Sequence, residues 1–168
     1  MPLNQTNFNY SVSWSDFTQR SSRPAGETED AQIHPEISFD NFQLKAVGRG
    51  VGIKDVDIDI NLVANDCWVV TSQMTNDLLL HEQGHYDILA INAREIYNKL
   101  VKLSAADTDK LQKKVDDLKE KMEKLTQQVD KRYDTKTDHS RIIKVQQQWN
   151  KKIAGEKQKS NGSLINLL

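Results

Sequence analysis

Leu78-Leu79-Leu80-His81-Glu82-Gln83-Gly84-His85-Tyr86-Asp87 decides how the chain is read, because it sets an HExxH arrangement inside an apolar run. Four residues advance an α-helix by slightly more than one turn, so His81 and His85 project from one face and can share a metal ion. Glu82 sits about 100° round from His81 and can reach a water on that ion. The apolar positions Leu78, Leu79, Leu80, Ile88, Leu89, Ile91, Ile96 and Leu100 carry a helical pattern through the motif, and no proline follows Thr71. A buried helix over residues 76–103 is expected.

Working outward, a chain of 168 residues fits one domain, 1–168, with a sizeable core, divided into a β-rich part (1–75) and a helical part (76–160). A net charge of -1 argues against nucleic acid or an anionic membrane surface as partner. Cys67 is the single cysteine, cannot form an internal disulfide, and reads as a small buried residue beside Trp68, Val69 and Val70. No stretch has the roughly 20 apolar residues of a membrane span. Met1-Pro2-Leu3-Asn4-Gln5 lacks the basic and apolar regions of a signal peptide. As written the chain reads as cytoplasmic, and as periplasmic or secreted if a leader has been removed, so the compartment stays open.

Before the motif, Phe8, Tyr10, Val12 and Trp14 alternate with polar residues and predict a first strand. The polar stretch from Ser15 to Asp30 reads as a long surface loop, of the kind that often serves a site. A strand near residues 42–47 and the turn Gly48-Arg49-Gly50, leading towards Val51 and Ile53, suggest a hairpin, and the alternation of Val56, Ile58, Ile60 and Leu62 with Asp57, Asp59 and Asn61 predicts the strand that follows. The acidic face of that last strand suits a sheet edge.

After the motif, Ser104-Ala105-Ala106-Asp107 resembles a capping box, where one helix stops and another begins. Leu111, Val115, Leu118, Met122, Leu125 and Val129 then follow a 4-3-4-3 coiled-coil rhythm. The stripe predicts an antiparallel hairpin over 76–133 packing on the motif helix, or self-association through residues 111–129. A third helical pattern, Ile142, Val145, Trp149 and Ile153, is expected to end before Gly155. The apolar tail from Ser163 to Leu168 is suited to docking.

A catalytic zinc takes three protein ligands and leaves one position open, so a further ligand is needed. Asp87 lies about 200° round the helix from His85, and Glu95 about 15 Å further along its axis, so a regular helix excludes both. The glycine and third histidine of the longer HExxHxxGxxH form are replaced by Ile88 and Ile91. If the chain reverses near Ser104 to Ala106, the return helix draws level with His81 at about residue 129. A loop from Asp134 to Asp138 could then fold His139 over the metal, which is preferred to Asp134 or Asp138, with His34 in reserve.

Taken together, Trp14-Ser15-Asp16-Phe17, Trp68-Val69, His81-Glu82-Gln83-Gly84-His85-Tyr86-Asp87 with Ala93-Arg94, and Tyr133-Asp134 through Thr137 to His139 resemble the bacterial predicted secreted zinc-dependent proteases, long catalogued as a domain of unknown function. The resemblance implies a zincin-like α+β fold: a small antiparallel or mixed sheet packed on the HExxH helix, then a helical hairpin and a C-terminal helix. It also implies peptidase activity, Zn²⁺, and His139 as the late histidine ligand. Ser140 departs from the pattern, since it stands where a glycine is expected. Asp87 and Arg94 read as structural partners, pairing with neighbouring elements.

The resulting expectation is a zinc-dependent metallopeptidase acting on a peptide or protein, with metal ligands His81, His85 and His139 and Glu82 as general base. Tyr133 is a candidate oxyanion donor or, equally, a helix-end packing residue, and an extended substrate is expected to pair with a strand edge around Val56 to Leu62. Two other functions fit the residues. One is a non-catalytic, metal-stabilised assembly protein using the hairpin, and the other a zinc hydrolase of a non-peptide amide.

Overall fold

The computed structural model describes residues 5–168; residues 1–4, on which most of the leader reading rests, lie outside the described residues. In chain order come β1 (Gln5–Thr6), β2 (Thr18–Arg20), β3 (Ala31–Gln32), β4 (Pro35–Val47), β5 (Gly50–Leu62) and β6 (Trp68–Val70). They are followed by α1 (Asn76–Leu100), β7 (Ser104–Ala105), α2 (Thr108–Thr137), α3 (Ile143–Gln158) and a closing 3₁₀ turn, Leu164–Leu167. The fold is α+β, with two small sheets and three helices. Among the described residues no helix is long and apolar enough to cross a membrane.

The long hairpin of β4 and β5 turns through Gly48-Arg49, and Gly48 supplies the positive φ of 59° that a two-residue connection needs at its first position. Along β5 the alternation points Val56, Ile58 and Ile60 into the core, and a register irregularity at Asp55 brings Ile53 in as well, each 1% exposed or less. β4 runs the length of one side of β5, while β1 and β7 share the other side. β5 is therefore interior, and the edge expected around Val56 to Leu62 is instead offered by β4, which has no second partner strand among the described residues. The face split that suggested an edge reports which side of the sheet is covered, not which strand is outermost.

Two expectations before the motif are corrected. Phe8 to Trp14 forms no strand, although Val12 is buried. Its backbone is held by a side chain: Val12 donates its N–H to Gln83 Oε1 at 2.8 Å, and Gln83 Nε2 donates to the Tyr10 carbonyl at 3.1 Å. The polar stretch after Trp14 is not all loop either, because β2 and β3 flank the buried β6 in a second sheet. Cys67, fully buried, accepts from the His34 N–H through its sulfur at 3.3 Å.

Thr75 caps α1 by accepting from the Leu78 N–H at 3.2 Å, a contact that contributes about 1 kcal/mol. The helix is buried on most sides and packs against the hairpin, α2 and α3. It stops at Leu100, three residues before its expected end, because the chain leaves to pair β7 with Val51 and Gly52. Asp107 then caps α2, accepting from the Lys110 N–H at 2.8 Å. The heptad stripe of α2 is turned into the chain's own core: Leu111, Val115, Met122 and Val129 are buried and Leu118 and Leu125 partly so. That is the packing expected of an antiparallel hairpin.

α3 does not end before Gly155 but runs through it to Gln158. A glycine inside a helix costs about 1 kcal/mol, and Arg94 offsets this by donating to the carbonyls of Glu156 at 2.8 Å and Lys157 at 2.6 Å. Asp87 pairs with Lys157 at 2.7 Å, so both residues expected to be structural tie α1 to α3. In the tail, Leu164 and Leu167 are fully buried, each contributing about 2 kcal/mol. Glu95 Oε2 accepts from Ser163 Oγ and the Leu164 N–H, both at 2.9 Å, and fixes the tail on α1.

Candidate metal centre

α1 presents His81 and His85 on one face, with their Nε2 atoms 3.2 Å apart, His81 buried and His85 partly so. Each ring is oriented from behind. His81 Nδ1 meets Gln146 Oε1 of α3 at 3.0 Å, and His85 Nδ1 meets Asp130 Oδ1 of α2 at 2.9 Å. With acceptors there, each Nδ1 is held as a donor and each Nε2 faces a common point, the arrangement that metal-ligating imidazoles take.

The last turn of α2 brings Asp134 to that point, its Oδ1 3.2 Å from His81 Nε2 and 2.9 Å from His85 Nε2. Three donors held 2.0–2.1 Å from a tetrahedral ion would lie about 3.3 Å apart, so the spacing fits one zinc-sized ion. Residues 138–140 are then all left-handed, with φ of 49°, 50° and 73°, which doubles the chain back and returns His139 to the site. Its Nδ1 is 3.9 Å from Asp134 Oδ1 and 3.3 Å from Glu29 Oε1. Ligand atoms of His81, Asp134 and His139 all lie within 4.8 Å of one another, a group that could bind a metal ion.

Two atoms test the fit. Asp134 Oδ1 and His139 Nδ1 are buried and have no hydrogen-bond partner among the described residues, since the nearby imidazole and carboxylate contacts are not aligned for hydrogen bonding. Buried polar atoms left unsatisfied are costly, and a shared cation would satisfy both. The nitrogen and oxygen donor set suits zinc and other borderline divalent ions.

The electrostatics follow from the crowding. Burial favours protonated Asp134, but His81 and His85 outweigh it and hold the carboxyl well below its usual range. Burial likewise opposes charge on His85, and Asp130 and Asp134 overcome it, raising that imidazole well above its ordinary value. His81, with less compensation, is lowered by its burial. Glu82 is 2% exposed, and burial raises it to about 7, helped by Asp134 and Glu29 and opposed by His85 and the Ile33 N–H.

Tyr133, the candidate oxyanion donor, is placed behind the site. Its ring stacks on His81 at 4.6 Å, and its buried hydroxyl donates to the His81 carbonyl at 3.2 Å and accepts from Gln146 Nε2. It therefore positions His81 and does not border the cleft described below. His34, the reserve ligand, pairs with Glu36 at 3.3 Å and lines the cleft described below, outside the group of His81, Asp134 and His139. His139 arrives from a helix end and not from a loop, because α2 continues to Thr137.

Sequence reasoning passed over Asp134 in favour of His139, and the structure brings in both. It missed Asp130, although Asp130 and Asp134 are an i, i+4 pair just past the level at which the return helix meets His81. Glu29 and Gln146 carry no signal in the sequence.

Glu82, His85, Asp130 and Asp134 open on a cleft of about 690 Å³ between the start of β4 and one face of α2, floored by Leu89, Asn92 and Ile96 of α1. A family model described as "Bacterial protein of unknown function (DUF922)" matches residues 66–140, a stretch that contains His81, Glu82, His85, Asp134 and His139. That description assigns neither a metal nor a reaction. No curated protein and no solved structure matches the chain. Over residues 66–140, then, the chain is similar to a bacterial family of unknown function.

Proposed function

We propose that the chain is a zinc-dependent metallopeptidase of zincin-like architecture. The observation that carries the reading is the convergence of His81, His85, Asp134 and His139 beside a buried carboxylate, Glu82, at the head of a cleft bordered by an unpaired strand edge. His81, His85, Asp134 and His139 supply the donors for zinc. When bound, zinc acts as a Lewis acid on a carbonyl and makes a nearby water easier to deprotonate.

The chain's own residues do the rest. Glu82 takes a proton from the attacking water and delivers it to the departing amine, a two-step use of one carboxyl group. Gln146 and Asp130 hold the two imidazoles in the tautomer that faces the ion. The first residues of β4 border the cleft and leave N–H and C=O groups free for an extended peptide to pair with.

One observation favours a second reading. Four donors converge, and a metal held by four protein ligands is closed and structural, as an assembly protein would need. Glu82 separates the readings, since a structural site has no use for a buried carboxylate facing a cleft. Zinc content and hydrolysis of a broad peptide mixture, measured on wild type and Glu82→Gln together, test the proposal. Hydrolysis lost with zinc retained supports it; zinc bound and no hydrolysis by wild type across the mixture supports the structural reading. A non-peptide amide as substrate would show as hydrolysis of simple amides alone.

A further inference from the structure

The cleft continues well beyond the metal donors. Glu82, His85, Leu89, Asn92 and Ile96 recur every three or four residues along one face of α1, so the floor extends about 20 Å. Asn92 lies about 10 Å beyond His85 along the helix axis. An extended peptide advances about 3.3 Å per residue, which brings a side chain about three positions from the bond over the metal to this point.

The distal half has apolar walls, and the acceptors that face it are a buried amide oxygen with no partner and two carboxylates that each have one contact, Glu36 with His34 and Glu123 with Gln127. Asn92 is 3% exposed, and its Oδ1 is buried in the cleft floor with no hydrogen-bond partner among the described residues. Glu36 on the β4 side and Glu123 on the α2 side place carboxylates on opposite rims. Two of the donors nearby are already used: Thr126 Oγ1 donates to the Met122 carbonyl at 3.0 Å and Gln127 Nε2 to Glu123 at 3.3 Å. At the far mouth the chain's own Lys119 places its ammonium 4.1 Å from the centre of the Phe39 ring, so this wall accommodates a cation.

We infer that the distal cleft selects a lysine or arginine side chain of the bound peptide, its apolar stem on Leu89 and Ile96 and its charged end on Asn92 Oδ1 and the Glu36 and Glu123 carboxylates. The inference rests on the peptidase reading. Long cationic side chains bury their stems along apolar surface in this way, and an unsatisfied buried acceptor gives the charged end a partner that an apolar side chain cannot use.

The test is binding, without turnover. Zinc-loaded Glu82→Gln is titrated with fluorescent peptides that differ only in lysine, norleucine or glutamate at one position flanked by alanine and glycine. The lysine peptide is expected to bind at least about tenfold tighter than norleucine, with glutamate weakest and the preference shrinking as salt rises. Adding Glu123→Lys, an exposed substitution that leaves the core intact, should erase the preference; adding Asn92→Asp should enlarge it. Equal or tighter binding of norleucine overturns the inference and leaves the peptidase reading standing. If no peptide binds the zinc-loaded protein, the peptidase reading fails and this inference with it.

Discussion

The hydroxyl of Tyr133 occupies the space that a side chain at Gly84 would need: a Cβ there would overlap that oxygen and stand 2.7 Å from Cζ of the ring. The central glycine of the motif is thus a contact surface, letting α2 press a buried phenol against the backbone between the two histidines. Gly84→Ala should destabilise the fold by about 1–3 kcal/mol through overpacking and weaken zinc binding by displacing the ring stacked on His81. Thermal denaturation and zinc titration measure both effects. In a Tyr133→Phe background the alanine should cost less, and equal cost in both backgrounds would contradict the stated cause.

The donors should differ in weight. Asp134 lies about 3 Å from two imidazole nitrogens, whereas His139 Nδ1 stands 3.9 Å from Asp134 and is shared with Glu29. Asp134→Ala should therefore lower zinc affinity more than His139→Ala, with both reductions exceeding tenfold. Gln146→Leu, which removes the partner of His81 Nδ1, should cost roughly 10- to 100-fold. Competition with a chromophoric chelator ranks the three variants, and full affinity in His139→Ala would remove that residue from the coordination sphere.

Ser140 has a φ of 73°, a conformation that costs a residue with a side chain about 1–2 kcal/mol. Glycine relieves that strain but loses more freedom on folding. Ser140→Gly should therefore stabilise the chain by a net of about 0.5–1 kcal/mol, read as a rise in the denaturation midpoint without a change in slope. The sequence already showed serine where the resemblance leads one to expect glycine, and the backbone gives the physical meaning of that expectation.

Acid should loosen the C-terminal tail. Hydrogen bonds from Asn166 and Lys159 hold Glu156 at about 2, and Glu95 is also lowered, its burial outweighed by Lys99, the Leu164 N–H and Ser163. Both carboxyls are depressed on folding, so their stabilisation is complete above the unfolded value of 4.5. It is lost as pH falls from there through the folded value, near 2 for Glu156. Glu156→Gln should cost about 1–3 kcal/mol at pH 7, and the gap from wild type should close between pH 5 and pH 2. A gap that stays constant with pH would show that the carboxylate's charge is not what holds the tail.

Residues with a period were legible in the sequence; residues whose role depends on where the chain turns were not. Helical spacing disclosed His81, Glu82 and His85, and rise per residue carried the prediction of a hairpin to the level of Val129. The same arithmetic pointed at Asp130 and Asp134, but a preference for histidine as a zinc ligand led past them. Gln146 could not be found, because only the reversal through three left-handed residues sets α3 behind His81. The Phe8 to Trp14 alternation misled for a related reason: period two reports one buried face, and Gln83 satisfied the backbone in place of a strand.

β7 adds a mechanical consequence. It ties the start of α2 to β5, while Arg141, just past the helix's end, donates to the Thr28 carbonyl at 3.1 Å and pairs with Asp30 at 3.5 Å. The wall of the cleft is thus moored at both ends, and it works as a fixed gauge and not as a jaw. Under the peptidase proposal, a substrate would then have to fit a cleft whose spacing is set before it arrives.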